Sequence, residues 1–134
     1  MQTPRVLVTG GLGYIGSILT EHLLRAGYRT TVLDSVAYGS EQGLRHLCSQ
    51  EHFQFVRGDV RDEGLMRTQV ASHDVIIHLA AIVGMPACQR DPQLATSVNL
   101  ESVQLLHRLA RPEQLILYPN TNSGYGATSG SLMC

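Results

Sequence analysis

Val6-Leu7-Val8-Thr9-Gly10-Gly11-Leu12-Gly13-Tyr14-Ile15-Gly16 lies almost at the N-terminus, and its reading decides the fold. A short apolar run rich in valine reads as a buried strand, and glycines then punctuate a turn into a helical pattern. Gly10 permits a tight turn with unusual backbone angles. Gly13 lets the backbone approach a pyrophosphate closely, and Gly16 lets the new helix lie against the strand. Backbone N–H groups and the positive end of the helix dipole then point at the phosphates. A glycine-rich turn that binds nothing is the alternative. Against it stands the context of strand, turn and helix, followed by Asp34 at the end of a second apolar run, roughly 20 residues on.

Working outward, Arg5 to Thr9 is the first strand. Ile15, Ile18, Leu19, Leu23 and Ala26 recur at helical spacing from Tyr14 to Ala26, with Gly27 as the stop and His22 at the surface or edge. Thr30 to Leu33 is the second strand, ending at Asp34. This βαβ unit implies a parallel sheet with a right-handed crossover. A carboxylate at Asp34 suits the ribose hydroxyls of NAD and repels the extra phosphate of NADP, which needs a nearby arginine. None occurs between Asp34 and Arg45, so NAD is expected. A turn or capping aspartate is the alternative reading.

Glu41 to Cys48 reads as a short helix and Phe53 to Arg57 as a third strand. Asp59 sits at that strand's carboxyl end, and Asp62 can cap a helix through Leu65, Met66 and Val70. Asp74 to His78 is a fourth strand, with His78 as a hydrogen-bonded core histidine. Leu79-Ala80-Ala81 follows, small enough to let a flat ligand lie against the backbone. Val83 to Cys88 reads as a loop facing the substrate. Pro92 to Ala110 is the longest helical pattern, with Leu94, Val98, Val103, Leu106 and Leu109 recurring. Asn99 in its middle is either a buried polar partner of the loops or a tolerated residue. Gln114 to Tyr118 is the fifth strand. The expected architecture is α/β: a Rossmann-type doubly wound parallel sheet in a three-layer sandwich, incomplete at the C-terminus.

Composition sets limits. The 134 residues have room for one domain and one sizeable core. At 43% hydrophobic and 16% charged, the chain reads as neither disordered nor membrane-spanning. A net charge of −1 offers no basic footprint for nucleic acid. Three distant cysteines and six scattered histidines predict a reducing cytoplasm and no metal site. All ten basic residues are arginine; there is no lysine.

The ordered set TGGLGYIG, Asp34, GDVRD (Gly58 to Asp62), HLAA (His78 to Ala81), the Asp91-Pro92 to Asn99 helix and a segment ending in Tyr125-Gly126 resembles the extended short-chain dehydrogenase/reductases. It is most similar to their nucleotide-sugar epimerase and dehydratase branch. The resemblance implies that Gly10, Gly13, Tyr14, Ile15 and Gly16 cradle the pyrophosphate of NAD, and that Asp34 and Ser35 hold the adenosine ribose. It implies that Asp59 and Val60 contact the adenine. Leu79, Ala80, Ala81 and Val83 would line the nicotinamide side, with Asn99 stabilising the site.

Counted back from Tyr125-Gly126, the family's catalytic Ser/Thr falls on Thr121, whose hydroxyl would bond the reacting sugar oxygen. A turn residue bonding its own backbone is the alternative. The family's dehydratases follow this residue with Asp and Glu; here stand Asn122 and Ser123, which cannot abstract a proton at neutral pH. Epimerisation of a nucleotide-activated sugar, or simple oxidoreduction, is therefore expected over 4,6-dehydration. The family's Tyr-x-x-x-Lys motif cannot be met without lysine. The chain thus reads as residues 1–134 of a longer, homodimeric enzyme, inactive alone. A non-catalytic NAD-binding module and a reductase of a non-sugar carbonyl stay open beside it.

Overall fold

Five parallel strands lie in the order β3-β2-β1-β4-β5, the arrangement expected of a doubly wound sheet. They are β1 (Arg5–Thr9), β2 (Arg29–Asp34), β3 (Phe53–Arg57), β4 (Val75–His78) and β5 (Leu115–Leu117). The computed structural model describes residues 3–39 and 41–120. Thr121, Asn122 and Ser123 lie outside them.

A parallel sheet covered on both faces needs apolar side chains pointing both ways. Val6, Val8, Val32 and Ile77 face one side, where they pack with Leu12, Leu24, Leu44 and Leu47. Their neighbours Leu7, Leu33 and Ile76 face the other, with Val60, Met66, Val70, Leu105 and Leu106. The single core expected from chain length is therefore two cores, one on each side of the sheet. Helix α1 (Tyr14–Arg25) and a 3₁₀ segment (Glu41–Leu47) cover the first; α2 (Glu63–Ala71) and α5 (Ser102–Leu109) cover the second.

The helical faces depart from the sequence pattern in instructive ways. Ile15 and Ile18 are 61% and 50% exposed, whereas Gly16, Thr20 and Leu24 form the buried stripe of α1. Gly16 is the reason: the helix crosses closest where a side chain is missing, and the stripe continues at four-residue steps. Gly27, at φ +86°, ends the helix as expected. Asp62 caps α2 by accepting from Leu65 N–H at 3.0 Å. Asp62→Ala should cost about 1 kcal/mol and Asp62→Ser far less, readable from urea midpoints.

Two segments differ outright from expectation. Val83 to Cys88 is not a loop throughout, because Met85–Arg90 forms helix α3 after Gly84, at φ +90°. Pro92 to Ala110 is not one α-helix. It runs as α4 (Pro92–Thr96), a π-helical turn (Ser97–Glu101) and α5, on which Leu105 joins Leu106 in the core. A π turn carries one extra residue and re-aims the side chains on it. Asn99 sits on that turn.

Candidate functional site

In the strand order, direction reverses between β1 and β4, and in open α/β sheets ligands bind outside the carboxyl ends at such a point. Gly10 follows β1 there, at φ +70°, and a Cβ on it would stand 2.7 Å from Ala80 N and 2.8 Å from Ala80 Cα. A Cβ on Gly16 would lie 2.4 Å from the Gly10 carbonyl oxygen. Gly13 differs: among the described residues its Cβ position meets only Gly10 O, at 3.2 Å. Sequence reading missed Gly11, where a Cβ would stand 2.5 Å from Val32 Cγ1; the Gly-Gly doublet was its signal.

Gly13 is the N-cap of helix α1, which has no side-chain cap and no acidic residue in its first turn. The first N–H groups of a helix lack intrahelical partners and favour an anion. Tyr14 and Ile15, 86% and 61% exposed, flank this end.

Asp34 ends β2 beside the turn. Its Oδ2 accepts from Leu12 N–H at 3.0 Å and its Oδ1 from Val36 N–H at 2.8 Å. A carboxylate offers about four lone-pair positions, so capacity for ribose hydroxyls remains. Ser35 is exposed beside it, and Val36 holds a left-handed φ of +61°. That conformation is costly for a β-branched residue and typical of ligand-binding segments. Gly58 N–H donates to Asp34 C=O at 2.9 Å, which brings the end of β3 alongside.

Asp59, after β3, is gripped by Arg61 through contacts of 2.6 and 2.9 Å. That hydrogen-bonded guanidinium holds the Asp59 carboxyl below the usual carboxylate range. Arg61 also donates to Ser97 Oγ at 3.2 Å, a link that sequence spacing could not show. Val60 is 5% exposed and packs in the second core, which leaves its backbone, beside Asp59, to meet a ligand.

Beyond β4, Leu79, Ala80 and Ala81 form a half-buried wall and Val83 stands 75% exposed. Asn99 clamps this segment: Ile82 N–H donates to Asn99 Oδ1 at 2.8 Å, and Asn99 Nδ2 donates to Ile82 C=O at 2.9 Å. It is a partner of the loop, the first of the two roles open to it. His78 is 1% exposed, with its ring nitrogens 2.9 Å from Thr9 Oγ1 and 3.1 Å from Ser102 Oγ. Burial lowers its pKa to about 4, so it is a neutral core histidine.

The profile of the NAD dependent epimerase/dehydratase family matches residues 6–132. The chain belongs to that family. It is 35% identical to the dTDP-glucose 4,6-dehydratase of Streptomyces niveus, over 92% of this chain and 39% of that enzyme. It is 32% identical to the UDP-glucose 4-epimerase of Mycolicibacterium smegmatis, over 90% of this chain and 39% of that one. The chain thus spans about two-fifths of the length of these relatives. Among solved structures, the Thermus thermophilus UDP-glucose 4-epimerase in complex with NAD superimposes with a TM-score of 0.67 at 33% identity, over 78% of this chain and 33% of its own.

For an NAD-dependent epimerase/dehydratase, the features above fit the cofactor: a cradle that a Cβ would fill, an uncapped helix end and a ribose-side carboxylate. Among the described residues no His, Cys, Asp and Glu group could hold a metal, and no helix is long and apolar enough to cross a membrane.

Proposed function

We propose that residues 1–134 form the NAD-binding portion of a nucleotide-sugar epimerase. The observation that carries the NAD reading is the open face at Gly13 in front of the uncapped start of α1, with Asp34 at its side. The backbone of Gly10, Gly13, Tyr14, Ile15 and Gly16 would hold the pyrophosphate. Asp34 and Ser35 would hold the ribose, and Asp59 with the Val60 backbone the adenine. Leu79, Ala80, Ala81 and Val83 would face the nicotinamide, with Asn99 bracing them. Bound NAD supplies a hydride acceptor for a sugar hydroxyl. Thr121 is the residue of this chain assigned to bond that hydroxyl oxygen.

Epimerisation is preferred over dehydration because Asn122 and Ser123 carry no acid or base in the neutral range. Similarity alone does not separate the two, since the relatives include a dehydratase and an epimerase. Pairing of two copies through the 92–110 helices in the cytoplasm completes the proposal; Leu100 on that helix is 52% exposed.

The test uses the protein as its gene encodes it. Titration should show NAD bound in preference to NADP, because Asp34 repels a 2′-phosphate. Incubation with NAD and UDP-glucose or dTDP-glucose, followed by proton NMR, should show inversion at one carbon. A keto-deoxy sugar would replace the epimerase reading by a dehydratase one. NAD binding without turnover of any nucleotide sugar would favour a non-catalytic module, and reduction of a non-sugar carbonyl a reductase.

A further inference from the structure

The proton positions around His78 follow from the acceptors present. Ser102 Oγ lies 2.6 Å from Val98 C=O, which can only accept, so the hydroxyl hydrogen points there. The imidazole Nε2, 3.1 Å from Ser102 Oγ, is then the donor. Nδ1 is left as an acceptor and takes the hydroxyl hydrogen of Thr9 at 2.9 Å. The Thr9 oxygen in turn accepts from Ala80 N–H at 3.3 Å.

A single chain of hydrogen bonds therefore runs from Ala80 through Thr9, His78 and Ser102 to Val98. It crosses β1 and β4, where Thr9 and His78 are direct neighbours in register, and ends on the π turn at Val98. Its outer end matters most. The Ala80 backbone stands where a Cβ on Gly10 would have to go, so this peptide is where the glycine turn and the wall after β4 touch. Asn99 holds the same wall independently, at Ile82.

We propose that Thr9 and His78 are positioning residues that hold the Ala80 peptide from beneath, so that residues 79–82 present one fixed surface to the nicotinamide half of the dinucleotide. The proposal rests on the NAD reading above. A purely structural role would change stability and leave the ratio of affinities for NAD and ADP-ribose untouched, because ADP-ribose lacks only the nicotinamide ring.

The experiment is calorimetric titration of the gene-encoded protein and its variants with NAD and with ADP-ribose, beside circular dichroism. Thr9→Val keeps the shape and removes the hydroxyl, leaving Ala80 N–H and His78 Nδ1 without a partner. NAD affinity should fall about tenfold, and ADP-ribose affinity less than about threefold. Thr9→Ser should bind both ligands as wild type does, and Ser102→Ala should show a smaller loss in the same sense. Equal losses for the two ligands, or no rescue by Thr9→Ser, overturn the proposal. Should Thr9→Val fail to fold, Ser102→Ala decides: a selective loss upholds the proposal and an unselective one ends it. Wild-type protein that binds neither ligand overturns the NAD reading itself, and the proposal with it.

Discussion

Gly10→Ala should lower folding stability by about 2–4 kcal/mol and remove NAD binding. Two costs combine. The residue holds φ +70°, a conformation L side chains rarely adopt, and the new Cβ would stand 2.7 Å from Ala80 N. That neighbour is backbone, held by Thr9 on one side and, two residues on, by Asn99, so it cannot swing aside as a side-chain end could. Gly13→Ala is the contrast. Gly13 has φ −70°, and among the described residues its Cβ position meets only Gly10 O, at 3.2 Å. That variant should lose clearly less stability than Gly10→Ala yet bind NAD poorly, because its methyl group would occupy the face left for the pyrophosphate. Urea midpoints with NAD titrations separate the two cases. Equal loss of stability in both variants would show that the glycines serve packing alone.

Acid should destabilise the protein well before its paired carboxylates titrate. His78 is buried and neutral, its pKa lowered from 6.5 to about 4. Burial lowers that of His73 as well, whose Nδ1 donates to Gln69 C=O at 2.6 Å and whose Nε2 accepts from Thr31. A group with a depressed folded pKa stabilises fully above its unfolded value, and that stability is lost as pH falls toward the folded one. The window therefore opens near pH 6.5 and extends to about pH 4. His78 alone contributes a loss on the order of 3 kcal/mol across it. Asp74, gripped by Arg5 and held at about 2, acts in the same direction but only below its ordinary value of 3.8. Urea midpoints at pH 7, 6, 5 and 4 should fall steadily. A flat midpoint from pH 7 to pH 5 would mean that water reaches His78.

Much of the site was legible because its residue types are forced by local backbone needs. Only glycine tolerates the turn at residue 10 and the helix contact at residue 16. A carboxylate ending the second apolar run is likewise readable from spacing. Helix faces were less legible. Ile15 and Ile18 match a core pattern, but the close approach at Gly16 turns a different stripe inward. Over residues 92–110, Leu105 was missed because its inward stripe runs through Ser102, a polar residue that apolar periodicity does not count. The resemblance named Val60 without saying which of its atoms would face a ligand, and only the packing shows that its side chain belongs to the second core.

By itself, the sequence determined the parallel α/β architecture and the strand ends that carry the candidate site, while the strand order and its point of reversal came with the tertiary structure. The first two follow from local steric rules and from apolar runs that need covering on two faces. Only the tertiary structure decided which polar groups meet: Arg61 with Ser97, Asn99 with Ile82, and His78 between Thr9 and Ser102. Each of these pairings joins residues 17 or more positions apart, and a buried polar group must find whatever partner the packed helices and strands bring to it.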